Sequence, residues 1–96
     1  MKDKPFDDVV TDLLREDPNL AIEILNGILQ DGDQGELLIA LRQMAKAFGG
    51  VPQVAEKACL NPTQLYRTLS SAGNPALSSL SAILKAMGLR LAVRPI

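Results

Sequence analysis

Val51-Pro-Gln-Val-Ala-Glu-Lys-Ala-Cys-Leu-Asn-Pro-Thr-Gln-Leu-Tyr-Arg-Thr-Leu69 is the stretch on which the reading of this chain turns. Val51, Val54, Ala55 and Ala58 recur at i, i+3, i+4 and i+7, one face of a short helix. Asn61-Pro62 then starts a second one, since Asn is a favoured N-cap and Pro suits the first helical turn. This second helix is expected from Pro62 to about Ala72, with Leu65 and Leu69 inward. The two meet across a short break from Cys59 to Asn61. Ala55 is small where the helices must cross, and Val54, Ala58, Leu60, Leu65 and Leu69 supply a shared core. This is the helix-turn-helix layout, whose second helix enters the major groove of DNA. Any helical hairpin also needs small and apolar residues at these places.

The outward face of the second helix separates those two readings. With Leu65 and Leu69 inward, a turn of ~100° per residue puts Thr63, Arg67 and Ser70 outward, flanked by Gln64, Tyr66 and Ser71. No carboxylate side chain follows Lys57. An ordinary solvated helix would mix Glu with Lys, whereas Thr, Gln, Arg and Ser can donate to base edges and phosphates without repelling them. Arg pairs bidentately with guanine and Gln with adenine. The Asn61 cap is expected to leave free N–H groups at this helix start for a phosphate. The candidate DNA-binding set is Asn61, Thr63, Gln64, Tyr66, Arg67, Ser70, Ser71 and Asn74.

Charge divides the chain. The net charge is only −1, but residues 1–36 hold ten acids and three bases, and residues 37–96 hold one acid and seven bases. Asymmetry of this kind points to two partners of opposite sign, or to one half shielding the other. Ninety-six residues form one compact unit. Residues 1–34 read as an acidic helical segment packed on the core, and residues 35–96 as the DNA-binding domain.

Pro and Gly punctuate that unit. Phe6, Val9, Val10, Leu13 and Leu14 form the apolar stripe of a first helix that stops at Asp17-Pro18. Asp17 is expected to cap a second helix, with Ala21, Ile24, Leu25, Ile28 and Leu29 inward, ending at Asp31-Gly32. A third, from about Gly35 to Phe48, ends at Gly49-Gly50. The last, from Ala76 to Met87, turns Leu77, Leu80, Ile83, Leu84 and Met87 inward. The tail from Leu89 alternates apolar and basic residues, a short strand signal. The expectation is an all-α fold of five to six short helices with a short C-terminal strand.

Residues 36–93 resemble the addiction module antidote proteins, of the XRE, lambda-repressor-like class. The matching stretches are Leu37 to Gly50, Leu60-Asn-Pro-Thr-Gln-Leu-Tyr-Arg-Thr-Leu-Ser70, Gly73-Asn-Pro75 and Leu80 to Leu91. Glu16-Asp-Pro-Asn-Leu-Ala21 and Leu29-Gln-Asp-Gly-Asp33 are similar too. The resemblance implies an antitoxin that binds a small RelE/ParE-like toxin and represses its own operon. Asp7, Asp8, Asp12, Glu16, Asp17 and Glu23 are the candidate toxin-binding residues. The family usually has Gly where Cys59 stands. Cys is disfavoured at positive φ by ~1 kcal/mol or more, so the helix before it is expected to end differently here.

Other classes fall away. With no His there is no Ser-His-Asp or Cys-His nucleophile and no His-ligated metal site, and a lone Cys excludes zinc fingers and intrachain disulfides. Cys59 reads as a small buried residue rather than a nucleophile. Asp31-Gly-Asp-Gln-Gly-Glu36 hints at a calcium loop, but the required Gly and Glu positions hold Glu36 and Arg42, leaving a turn with helix-capping acids. No apolar run can span a membrane, and the start, MKDKPFDD, has no apolar h-region. The expectation is a cytoplasmic, non-enzymatic homodimer with no catalytic residue, cofactor or metal. Its partners are a double-stranded operator and a toxin, and it does not engage a membrane. An XRE-type regulator without a toxin partner is the alternative, and a protein–protein adaptor stands behind it.

Overall fold

Pro and Gly set the joints of the chain, and the helices fall between them. The computed structural model describes residues 5–96. In order these are α1 (Phe6–Glu16), α2 (Pro18–Asp31), α3 (Gln34–Ala47), α4 (Val51–Lys57), α5 (Pro62–Thr68) and α6 (Leu77–Ala86). No strand occurs among the described residues.

Two helices act as hubs. α1 and α2 pack on α3 and on each other, while α5 and α6 pack on α4, which also meets α3. One core runs through both groups: Leu14, Ala21 and Leu25 from α1 and α2 join Leu38, Leu41, Met44, Val51, Val54, Leu65, Leu69 and Ile83. The Cα radius of gyration, 13.1 Å, is that of one packed domain of this length (~13 Å). The acidic segment therefore shares its core with the rest of the chain.

Three helices end in the same way. The N–H of Gly50 donates to the Ala45 carbonyl, that of Leu60 to Ala55, and that of Leu89 to Leu84, at 2.9, 2.8 and 2.8 Å. In each, the preceding residue takes a positive φ: Gly49 at 113°, Cys59 at 57° and Gly88 at 79°. This six-to-one bond satisfies a carbonyl that the helix end would leave orphaned, and Gly adopts the required conformation without steric cost. Cys59 adopts it with a Cβ. The expectation that α4 would end differently is thus corrected: the turn is enforced by its bonds and by burial of Val54 and Ala55 around it. Cys59 is also exposed rather than buried, since the left-handed residue projects its side chain away from the packed pair.

Other details depart from the sequence expectation. In α1, Leu14 and Val10 go inward, but Phe6, Val9 and Leu13 remain exposed, at 79%, 38% and 47%. Its neighbours α2 and α3 cover only part of the broad apolar stripe of this 11-residue helix. Leu29 at the end of α2 is also exposed. Asp17 makes no side-chain cap; as the single joint between α1 and α2, it donates its N–H to the Leu13 carbonyl and accepts from Leu20 N–H. Leu77 is exposed because α6 buries Ile83 and Leu84 in its second half, so its first turn overhangs the core. The tail after Leu89 forms no strand. Its alternation is real, but no neighbouring strand offers the backbone pairing that defines one.

Candidate functional site

α5 is a seven-residue helix whose start is chemically fixed. The Asn61 carboxamide oxygen accepts from Thr63 N–H at 2.9 Å and Gln64 N–H at 3.2 Å, a cap worth about 1 kcal/mol. The cap itself therefore engages two of the N–H groups expected to stand free for a phosphate. Leu65 and Leu69 are 1% and 0% exposed, and their burial decides which way the helix faces. Asn61, Thr63, Gln64, Tyr66 and Arg67 are all exposed. These five of the eight candidates share one surface, projecting from a helix whose inner side packs on α4.

The other three do not continue that helix. α5 ends at Thr68, short of the expected Ala72. Leu69 leaves helical geometry at ψ 57° to reach the core, and Ser70 turns its hydroxyl back to donate to the Arg67 carbonyl at 2.8 Å. Gly73 then folds against the helix end so closely that a Cβ there would meet the Thr68 carbonyl oxygen at 1.8 Å. Ser71 lies against the first turn of α3, with its carbonyl near Gly35. Asn74 lies there too: Gln34 Nε2 donates to the Gly73 carbonyl at 2.9 Å and to Asn74 Oδ1 at 3.4 Å. Ser70, Ser71 and Asn74 thus belong to a buttress between α5 and α3 rather than to the outer face of α5.

Arg42 had no signal in the sequence. It lies on α3, and its guanidinium carbon is 5.0 Å from the centroid of the Tyr66 ring. Its charge thus borders the α5 surface from a second helix, with Lys57 exposed at the end of α4. Gln34 was equally hidden, because its two partners lie 39 and 40 residues away.

The acidic candidates lie on α1 and α2. Asp8, Glu16, Asp17 and Glu23 are exposed, and Asp12 pairs with Arg15 at 3.3 Å. The Asp7 side chain lies outside the described residues. On α1 the acids Asp8, Asp12 and Glu16 form one strip, and the exposed Phe6, Val9 and Leu13 form another beside it. Phe6 also opens onto an apolar groove of about 710 Å³ lined by Ile24, Ile28, Ile39 and Ala40, with Asp33 and Glu36 at its rim. Asp33 is a helix cap, accepting from Glu36 N–H at 2.8 Å. On the other side of α1, Asp8 and Asp12 border a depression shared with Lys46 of α3.

Comparison with known proteins assigns the chain to a family. The model of a family described as "Probable addiction module antidote protein" matches residues 3–95, nearly the whole chain. The chain belongs to that family. A Haemophilus influenzae relative, described as an uncharacterized protein, is 34% identical over 70 residues, covering 73% of this antidote-family chain and 71% of the relative. No solved structure matches significantly. Family membership suggests an antitoxin role and, in general terms, a toxin partner. No helix among the described residues is long and apolar enough to cross a membrane.

Proposed function

We propose that this antidote-family chain is the cytoplasmic, non-enzymatic antitoxin of a toxin–antitoxin pair, and that it represses its own operon as a lambda-repressor-like, helix-turn-helix DNA-binding protein. The observation that carries this reading is the α5 surface. Leu65 and Leu69 are locked inward while Thr63, Gln64, Tyr66 and Arg67 stand out together, in a stretch with no carboxylate side chain after Glu56. α5 lies in the major groove, with Arg67 and Gln64 able to make the bidentate contacts that tell guanine and adenine apart. A monomer offers few phosphate contacts, so two copies bind a pseudo-palindrome with half-sites about one turn apart. The C-terminal tail, where Leu91 lies with Ile22 and Leu29 of α2 around one depression and Val93 is exposed, supplies the contact between copies.

The toxin is a small, basic, RelE/ParE-like protein. It lies on α1, where the acidic strip of Asp8, Asp12 and Glu16 meets its charge and Phe6, Val9 and Leu13 take its apolar contacts. The test is co-expression with the product of the adjoining reading frame, combined with binding to the duplex immediately upstream of the chain's own gene. Growth restored by the wild-type chain, and specific retention of that duplex, are the expected results. Specific DNA binding without any rescue or complex would leave a regulator with no toxin.

A further inference from the structure

Arg42 stands apart from the other cations of the described residues. It shares a face of α3 with the buried Leu38 and Ala45, so its stem lies along the edge of the core. Its Nε is buried and has no hydrogen-bond partner. No carboxylate of the described residues is paired with it. What holds the guanidinium is the ring of Tyr66, 5.0 Å away, and Tyr66 is itself 40% exposed on the outer side of α5. A guanidinium carries five donors and keeps its charge at any physiological pH. Leaving a donor of a charged group unmade inside a protein is costly, and a stack on an aromatic face offsets it only in part. The Nε itself is sealed from solvent, so the terminal nitrogens of this fixed cation, at the border of an α5 surface without a carboxylate, are what an anionic acceptor from outside would meet.

We propose that Arg42 is a DNA-backbone contact: held in place by Tyr66, it takes a phosphodiester of the duplex and extends the interface from α5 onto α3. This rests on the reading that α5 binds DNA. The contact carries no sequence information, because phosphate contacts fix register and orientation while base edges specify. Tyr66 serves as the positioning residue, since its ring sets where the guanidinium stands. The role of Arg67 is different, because it lies on the part of α5 that faces the bases.

Full-length wild type, Arg42→Gln, Arg42→Met, Arg42→Lys and Arg67→Ala would be titrated by fluorescence anisotropy against two labelled duplexes. One is the DNA immediately upstream of the reading frame, and the other is the same length with its sequence shuffled. Each titration is repeated over a series of salt concentrations. Arg42→Gln should weaken binding to both duplexes by the same factor and flatten the slope of log affinity against log salt by about 0.9, the value of one phosphate. Arg42→Met, which keeps a stem over Tyr66, gives the same comparison should Gln unfold the chain. Arg42→Lys keeps the charge and the wild-type slope. Arg67→Ala should weaken the upstream duplex far more than the shuffled one. An unchanged salt slope in folded Arg42→Gln or Arg42→Met, with Arg67→Ala behaving as stated, overturns the assignment and leaves the α5 reading intact. Wild type binding neither duplex overturns both.

Discussion

Gln34, the first residue of α3, donates from Nε2 to the Gly73 carbonyl at 2.9 Å, and so ties the joint after the acidic segment to the loop that follows α5. The same amide reaches Asn74 Oδ1. The other hydrogen bonds of the loop are local, from the Ser70 hydroxyl to the Arg67 carbonyl and from Gly73 N–H to the Ser70 carbonyl. Gln34→Ala should cost ~0.5–1.5 kcal/mol in urea unfolding, the net worth of one such bond. It should also raise amide exchange in residues 70–75 more than elsewhere. Uniform exchange across the chain would remove this tie from any role in holding the loop.

Gly73→Ala should cost more. A Cβ 1.8 Å from the Thr68 carbonyl oxygen cannot be accommodated without moving the end of α5. Strain of this kind costs ~1–3 kcal/mol. Because Arg67 lies at that end, operator binding should fall by more than the loss of stability explains. A variant as stable as wild type would mean that the loop yields easily.

Cys59→Gly should stabilise the chain. The Cys59 side chain is exposed, so little packing is lost, while its φ of 57° is the conformation that Gly takes freely at the ends of α3 and α6. Relief of ~1–2 kcal/mol is partly offset by the greater freedom of Gly when unfolded, leaving a net gain below about 1 kcal/mol. A higher urea midpoint at unchanged slope is the expected result; a lower one would show that the thiol makes contacts worth keeping.

Deleting residues 91–96 removes Leu91 and Val93 but leaves Leu89, which packs against the core. The fold should survive, and self-association should weaken in sedimentation. An unchanged dimer would place the contact between copies elsewhere.

These cases show where sequence is a sufficient guide. Helix joints are readable because Pro, Gly and an Asn-Pro start act locally, and the helices begin and end near those residues except α5, which stops short at Thr68. The inward and outward sides of α5 were readable because two leucines four apart fix the phase of a short helix. What periodicity does not reveal is how much of a stripe a neighbour covers: Phe6, Val9 and Leu13 fit the apolar pattern of α1 yet face solvent. Nor does it reveal contacts made at long range. The length of α5 depends on Gly73 closing against Thr68, and the Arg42–Tyr66 stack depends on the placing of α3 beside α5. The tail shows the reverse case, a local strand pattern with no partner to pair with.

The two surfaces are best separated with the whole chain, since removing residues 1–33 would strip Leu14, Ala21 and Leu25 from the shared core. Full-length Arg67→Ala and the triple variant Asp8→Lys, Asp12→Lys, Glu16→Lys should be assayed together for affinity to the upstream duplex and to the purified product of the adjoining reading frame. Arg67→Ala should lose ~1–3 kcal/mol on the duplex and keep its affinity for that protein. The triple variant should lose the protein and keep the duplex. If the triple variant instead bound that protein as tightly as wild type and merely gained affinity for a shuffled duplex, the acidic strip would be a shield for the chain's own basic face, and the toxin surface proposed on α1 would be wrong.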